Sequence, residues 1–329
     1  MKANALFLAA MLAAAPIEGL ADESRMPPFG GATGWLNSPP LAAAELRGKV
    51  VLVEFWTYTC INWLRQLPYV RAWAEKYKDH GLVVVGVHTP EFEFEKNLDN
   101  IRRAATELAV GYPVAIDNDY AVWRAFSNYA WPALYLIDAQ GRVRYRHLGE
   151  GEYERSERMI QQMLAEAGAA GVPRDLVSVE GRGVEAAADW GNLRSAETYL
   201  GPERVQNRVY AAPERLRLNQ WTTTGSWTPR RQAIVLGKPH GRIAHRFHAR
   251  DLHLVMGPAV AGSTVRFRVL IDGKAPGAAH GLDIDAQGNG TLTEQRMYQL
   301  IRQPGPIAER TFEIEFLDRG VEVFAFTFG

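Results

Sequence analysis

One cysteine, Cys60, stands between an apolar β-branched run at residues 50–55 and a helical pattern interrupted by Pro68. This order constrains the chain more than any other feature. The run reads as a buried strand, residues 56–59 as a corner, and Cys60 as the opening of a helix over residues 60–79. A sulfur at a helix N-terminus sits in the positive end of the peptide macrodipole, which favours thiolate over thiol. The arrangement therefore predicts a nucleophilic, low-pKa sulfur at the carboxyl end of a strand. Being the only cysteine, it excludes an internal disulfide framework. It also suits an oxidising compartment, where nothing in the chain can mispair.

The rest of the chain divides by pattern. Lys2, an apolar run at residues 3–15 and the small residues Gly19-Leu20-Ala21 read as an export signal over residues 1–21, cleaved before Asp22. The mature protein is expected to be soluble and periplasmic or secreted. Residues 22–167 alternate strands (50–55, 82–87, 113–116) with helices (60–79, 98–108, 120–126). A hairpin (133–137, 143–148) and a closing helix (154–167) complete an α/β layer structure. Residues 168–200 read as a linker. Residues 201–329 change to period two, with Val265, Phe267, Val269 and Ile271 on one face and Phe312, Ile314 and Phe316 repeating it. Many strands with Gly/Pro turns predict an all-β sandwich. Basic and acidic residues balance at 37 each, so no electrostatic argument favours nucleic acid.

The stretches FWTYTCIN, VVGVHTPEFEFEKN and WPALYLIDAQG, with the long C-terminal part, resemble the thioredoxin superfamily. The likeness is to its TlpA/DipZ branch, the periplasmic thioredoxin-like segment of DipZ proteins. The resemblance implies a thioredoxin-like domain followed by a jelly-roll, carbohydrate-binding-module-like sandwich. It implies thiol–disulfide oxidoreductase chemistry without a cofactor or metal. It also implies protein or small-molecule thiols and disulfides as partners, a CcdA-like membrane electron donor, and glycan or protein at the sandwich. By position, Glu54 matches the buried acid beneath the active site, Trp56 the tryptophan before the motif, and Pro132 the cis-proline facing the cysteine. Trp56, Trp63, Trp131 and Pro132 are the expected substrate-binding residues. Trp63 stands where the family keeps its second, resolving cysteine, so a two-cysteine cycle within the chain is excluded.

Other residues offer chemistry of their own. His88 ends the second apolar run, on the sheet edge where helix starts gather, and is expected either to serve Cys60 as base or charge partner or to be a bonded loop histidine. Thr57 and Cys60 have the spacing of a peroxidatic site, without the preceding proline. Asp283, Asp285 and Glu294 fit calcium-loop spacing, although a hairpin turn accounts for them better. His240, His245, His248, His253 and His280 fit no zinc pattern and are expected on a polar sheet face. Trp221 and Trp227 stack on a ligand or fill the core. Three functional readings follow: a thiol enzyme working through Cys60 alone, with Glu54 and His88 assisting, a binding protein built on a degenerate thioredoxin domain, or, behind these, a one-cysteine peroxiredoxin-like peroxidase.

Overall fold

The structure, a computed structural model, describes residues 25–210 and 215–329. The expected export segment lies outside the described residues. Among the described residues no helix is long and apolar enough to cross a membrane.

The first domain runs β1 (Gly34–Leu36), β2 (Val50–Trp56), α1 (Ile61–Tyr77), β3 (Leu82–His88), α2 (Leu98–Glu107), β4 (Val114–Ile116), α3 (Ala121–Ala125), β5 (Ala133–Ile137), β6 (Val143–Leu148) and α4 (Tyr153–Glu166). Its sheet has the order β1-β4-β3-β2-β5-β6, with β2, β3 and β4 mutually parallel and the outer strands antiparallel. All seven residues of β2 are buried, because both faces of the sheet are covered. Val50, Leu52 and Trp56 pack with residues of α1, α2 and α4, while Val51, Val53 and Phe55 pack with Val122 and Phe126. That two-sided burial explains a continuous apolar run where a half-exposed strand would alternate.

The second domain contains β7 (Thr198–Tyr199), β8 (Trp221–Thr224), β9 (Trp227–Pro229), β10 (Ile234–Leu236), β11 (Gly241–Phe247), β12 (Asp251–Pro258), β13 (Val265–Ile271), β14 (Asn289–Leu292), β15 (Arg296–Arg302), β16 (Arg310–Phe316) and β17 (Val321–Phe328). One antiparallel sheet has the order β15-β12-β17-β10-β9, with β7 also on β17, and the other β14-β13-β16-β11-β8. The strands alternate as period two requires, so Val265, Phe267, Val269 and Ile271 face a core shared with Phe312, Ile314 and Phe316. Trp221 belongs to that core. Three of the five histidines correct the expectation of a polar face. His245 is fully buried, its ring 4.8 Å from that of Phe326, and His248 and His253 are buried too. A neutral imidazole is apolar enough to fill a core, and burial holds His245 and His253 down at about 3. Asp283 pairs with Arg296 and accepts the Gln299 amide, Glu294 pairs with Arg103, and Asp285 caps its own turn. Among the described residues no cluster suited to a metal forms.

The two domains share a core. Tyr199, Ala233, Val255, Met297, Phe324 and Ala325 join the apolar cluster of the first domain. The Phe324 ring lies 5.2 Å from Phe92 and 4.8 Å from Phe94. Arg65 of α1 is buried and donates across the boundary to the Phe328 carbonyl at 3.0 Å. The segment expected as a linker is a packed strap: Val172, Val177 and Val184 lie on the first domain's core. Glu157 of α4 accepts the Val177 amide, Arg71 of α1 grips Glu185 at 2.8 Å, and Arg302 donates to the Gly183 carbonyl. The last residues of that segment form β7, a strand of the second domain.

Candidate active site

Cys60 is the N-cap residue of α1, extended in conformation and half-buried. Its amide donates to the Thr57 carbonyl at 3.2 Å, closing the corner after β2, and its carbonyl accepts the Leu64 amide at 3.0 Å. The position agrees with the sequence reading, but the electrostatics reverse it. Burial pushes the Cys60 thiol up, and the carboxylates of Glu197 and Glu91 push it further, while the Trp63 and Asn62 amides pull it down. The helix end acts as expected and is outweighed. One of these carboxylates, Glu91, comes from the segment after β3, and the other, Glu197, immediately precedes β7. Both charges are negative, the opposite of the arginine that would keep a peroxidatic sulfur ionised.

Beneath the motif, Trp63 occupies the resolving position with a fully buried ring, stacked on Trp56 at 4.3 Å. Its indole Nε1 donates to Glu54 Oε1 at 2.9 Å. Gln66 Nε2 donates to the same oxygen at 3.1 Å, and the Tyr112 hydroxyl donates to Oε2 at 2.7 Å. Gly86, opposite Glu54 in the parallel register, makes this possible: a Cβ there would lie 2.8 Å from Trp56 Nε1 and 3.1 Å from the Tyr112 ring. Burial raises Glu54 to about 7 against the opposing pull of these three donors and of Arg71. Its hydrogen bonds go to Trp63, Gln66 and Tyr112, so the expected partnership with Cys60 is replaced by one with the tryptophan. Trp56 and Trp63 are both fully buried and offer no face to a substrate, which corrects their assignment as substrate-binding residues.

His88 is also corrected. Its ring is fully buried, edge-on to Trp56 at 4.7 Å and stacked on Tyr58 at 5.7 Å. Among the described residues neither ring nitrogen has a hydrogen-bond partner. Burial lowers it to about 3, so it stays neutral and supplies no charge to Cys60. The Trp131–Pro132 peptide is cis, and Trp131 Nε1 donates to the Thr89 carbonyl at 3.0 Å.

Sequence reasoning missed five residues that shape this site, Glu95, Glu91, Glu197, Tyr199 and Arg204. Glu95, fully buried, accepts the Thr59 hydroxyl at 2.6 Å and the Glu91 and Phe92 amides, which ties the cysteine loop to the segment after β3. Burial raises it to about 7. Tyr199 donates between Glu91 and Glu197, and Arg204 pairs with Glu91 at 2.8 Å. The alternation of Glu91, Phe92, Glu93, Phe94 and Glu95 was the available signal for the first, although it imitates a strand. Nothing local marks Glu197, Tyr199 or Arg204.

A pH test follows from Glu54. Its proton is held more tightly in the folded chain, at about 7, than at the ordinary 4.5. The folded state therefore binds more protons between these values, and stability falls as pH rises through that window. Glu54→Gln, neutral at every pH, should remove roughly 3 kcal/mol of that decline. Urea unfolding of both proteins across the window checks it, with a residual slope of the same sign left by Glu95.

Comparison with known proteins agrees with this geometry. The Redoxin family profile matches residues 22–164, and the profile of the thioredoxin-like C-terminal domain matches residues 192–329. Protein DipZ of Mycobacterium bovis is 35% identical over 318 residues, 92% of this chain and 42% of its own length. The chain thus spans less than half the length of that relative. The thiol–disulfide oxidoreductase YkuV of Bacillus subtilis is 31% identical over 43% of this chain and 95% of its own. A solved thioredoxin-like protein in its oxidised form is 32% identical over 44% of this chain and 96% of its own, with a TM-score of 0.41. A redoxin-type domain with its cysteine at the head of α1, carrying the thioredoxin-like C-terminal domain behind it, places this chain in the thioredoxin-like thiol–disulfide oxidoreductase family.

Proposed function

We propose that the chain is an exported monothiol member of this family, exchanging disulfides through Cys60 alone. The observation that carries the reading is Trp63, whose ring fills the resolving position and whose indole engages Glu54. Sulfur of Cys60 attacks a substrate disulfide, one new S–S bond forms, and the substrate's other sulfur leaves as a thiolate that takes up a proton. With no second cysteine in the chain, release requires an outside thiol or the substrate's own second cysteine. This suits isomerisation, deglutathionylation or capture. Protein and small-molecule thiols are the proposed partners, and the extracytoplasmic side of a membrane, near a CcdA-like electron donor, is the proposed setting. The second domain is proposed to bind glycan or protein. With Trp221 in its core, that contact must use other residues.

The test is a mixed-disulfide trap in the native compartment with the whole chain as bait. Stable adducts that vanish in Cys60→Ser are expected. The upward-shifted thiol favours a second reading, a binding protein with an inert cysteine. Absence of adducts from both protein and small-molecule disulfides would establish that reading instead.

A further inference from the structure

The turn that leads into β14 carries a reactive pair that the fold both requires and restrains. Asn289–Gly290 is the one Asn-Gly pair in the sequence. In such a pair the glycine nitrogen, unshielded by a neighbouring Cβ, has an open approach to the asparagine side-chain carbonyl carbon. Packing fixes the glycines on either side of Asn289. A Cβ at 290 would lie 2.2 Å from the ring of buried Phe267, its register partner on β13. Gly288 has φ +87°, and a Cβ there would lie 2.1 Å from the Val269 carbonyl oxygen. Asn289 is gripped by Asp285: its amide donates to Oδ1 at 2.8 Å, and its Nδ2 lies 3.1 Å from Oδ2 and 3.3 Å from Oδ1. The peptide group that must turn for attack is also held at both ends. The Asn289 carbonyl accepts the Asp285 amide at 3.0 Å. In an antiparallel ladder every second pair exchanges hydrogen bonds. Val269 donates to the Gly288 carbonyl at 2.7 Å, so Gly290, two places along and opposite Phe267, is again a bonded position.

We propose that Asn289–Gly290 is a self-modification site, kept as asparagine by Asp285 and the β13–β14 ladder and converted to aspartate or isoaspartate when β14 opens. The strand is only four residues long and lies at the edge of its sheet, beside β13. Short edge strands open locally, at a fraction of the cost of global unfolding. Once the ladder is broken, the Gly290 nitrogen gives its proton to hydroxide and attacks Asn289 Cγ. A C–N bond forms, the bond to Nδ2 breaks, and ammonia leaves with a proton from water. Water then opens the cyclic imide at either carbonyl. The net change is amide plus water to carboxylate plus ammonium, and no electrons move. The product has no Nδ2 donor and sets a second carboxylate against Asp285. The isoaspartate form also adds a carbon to the main chain ahead of Leu292, a core residue, and Glu294, which pairs with Arg103 of α2 at 2.7 Å. Modification at 289 therefore loosens a contact between the two domains.

The experiment is incubation of the full chain at mildly alkaline pH, then proteolysis and mass spectrometry of the peptide holding residue 289. Chromatography separates its aspartate and isoaspartate forms. The urea-unfolded chain should convert fastest, and the folded chain measurably but about tenfold or more slowly, since attack waits on the opening of β14. In folded Asp285→Ala the rate should rise about tenfold above wild type, because hydrogen bonds to a charged group no longer hold the asparagine. Equal rates in the folded and unfolded chains, no conversion in the folded chain, or an Asp285→Ala rate equal to wild type overturns the proposal. Should Asp285→Ala fail to fold, Asp285→Asn carries the test, because it keeps one acceptor oxygen and loses the charge. A smaller rise is then expected, and no rise overturns the proposal. Asn289→Asp, which builds one product into the chain, should unfold at a lower temperature than wild type. An unchanged midpoint in that variant and in the aged wild type overturns the loosening of the domain contact. None of these readouts needs Cys60, so they stand or fall apart from the exchange reading.

Discussion

Replacing Trp63 by cysteine should lower stability by about 3–5 kcal/mol while shortening the life of every mixed disulfide at Cys60. The cost has two named sources. The ring fills space against Trp56 at 4.3 Å with no exposure to solvent, and a thiol leaves most of that volume empty. Glu54 loses the indole donor at 2.9 Å, so a buried carboxyl keeps two partners instead of three. The gain is chemical. A sulfur at position 63 lies one helical turn inside the first, close enough to attack a mixed disulfide and release the substrate. Glu54, which burial already raises and which loses the indole bond that lowered it, is then free to exchange a proton with that second thiol. Urea unfolding of the reduced protein reads the cost, and insulin reduction with intact mass after oxidation reads the gain. Adducts as long-lived as those of the wild type would show that Trp63 does not set the reaction type.

The second large effect is expected at Arg65. Its guanidinium is buried, 3.2 Å from Glu150 Oε2 and 3.0 Å from the Phe328 carbonyl of β17. Glu150 itself has only 5% of its side chain exposed. Arg65→Met keeps the apolar stem but strands a buried carboxylate and a buried carbonyl, which costs about 3–5 kcal/mol. Burial already raises Glu150 and Arg65 opposes it, so in the variant Glu150 should be protonated at higher pH. Because this bond ties α1 to the last strand of the second domain, its loss should also loosen the cover over Cys60. Thermal unfolding checks the first consequence and faster alkylation of Cys60 the second. Unchanged alkylation in a destabilised variant would confine Arg65 to a structural role.

What the sequence determined by itself is local. The β-branched run at β2, the corner, Cys60 at the head of α1, the hairpin of β5 and β6 and the alternation in β13 and β16 are all short-range patterns. Each follows from side-chain periodicity and from the conformations of a few neighbouring residues. The absence of a resolving cysteine was equally plain, because it is a matter of residue identity. What only the tertiary structure decided is every quantity that depends on distant neighbours. Glu91, Glu197, Tyr199 and Arg204 meet, and both carboxylates bear on Cys60, although 106 positions separate Glu91 from Glu197 in the chain. The sign of the thiol's shift therefore depended on groups distant along the chain, and burial with two carboxylates outweighed the helix end. The same holds for Trp63, whose indole found Glu54 only because Gly86 leaves room for the neighbouring rings. Desolvation and charge act through space, and the pattern along the chain does not record which groups space will bring together.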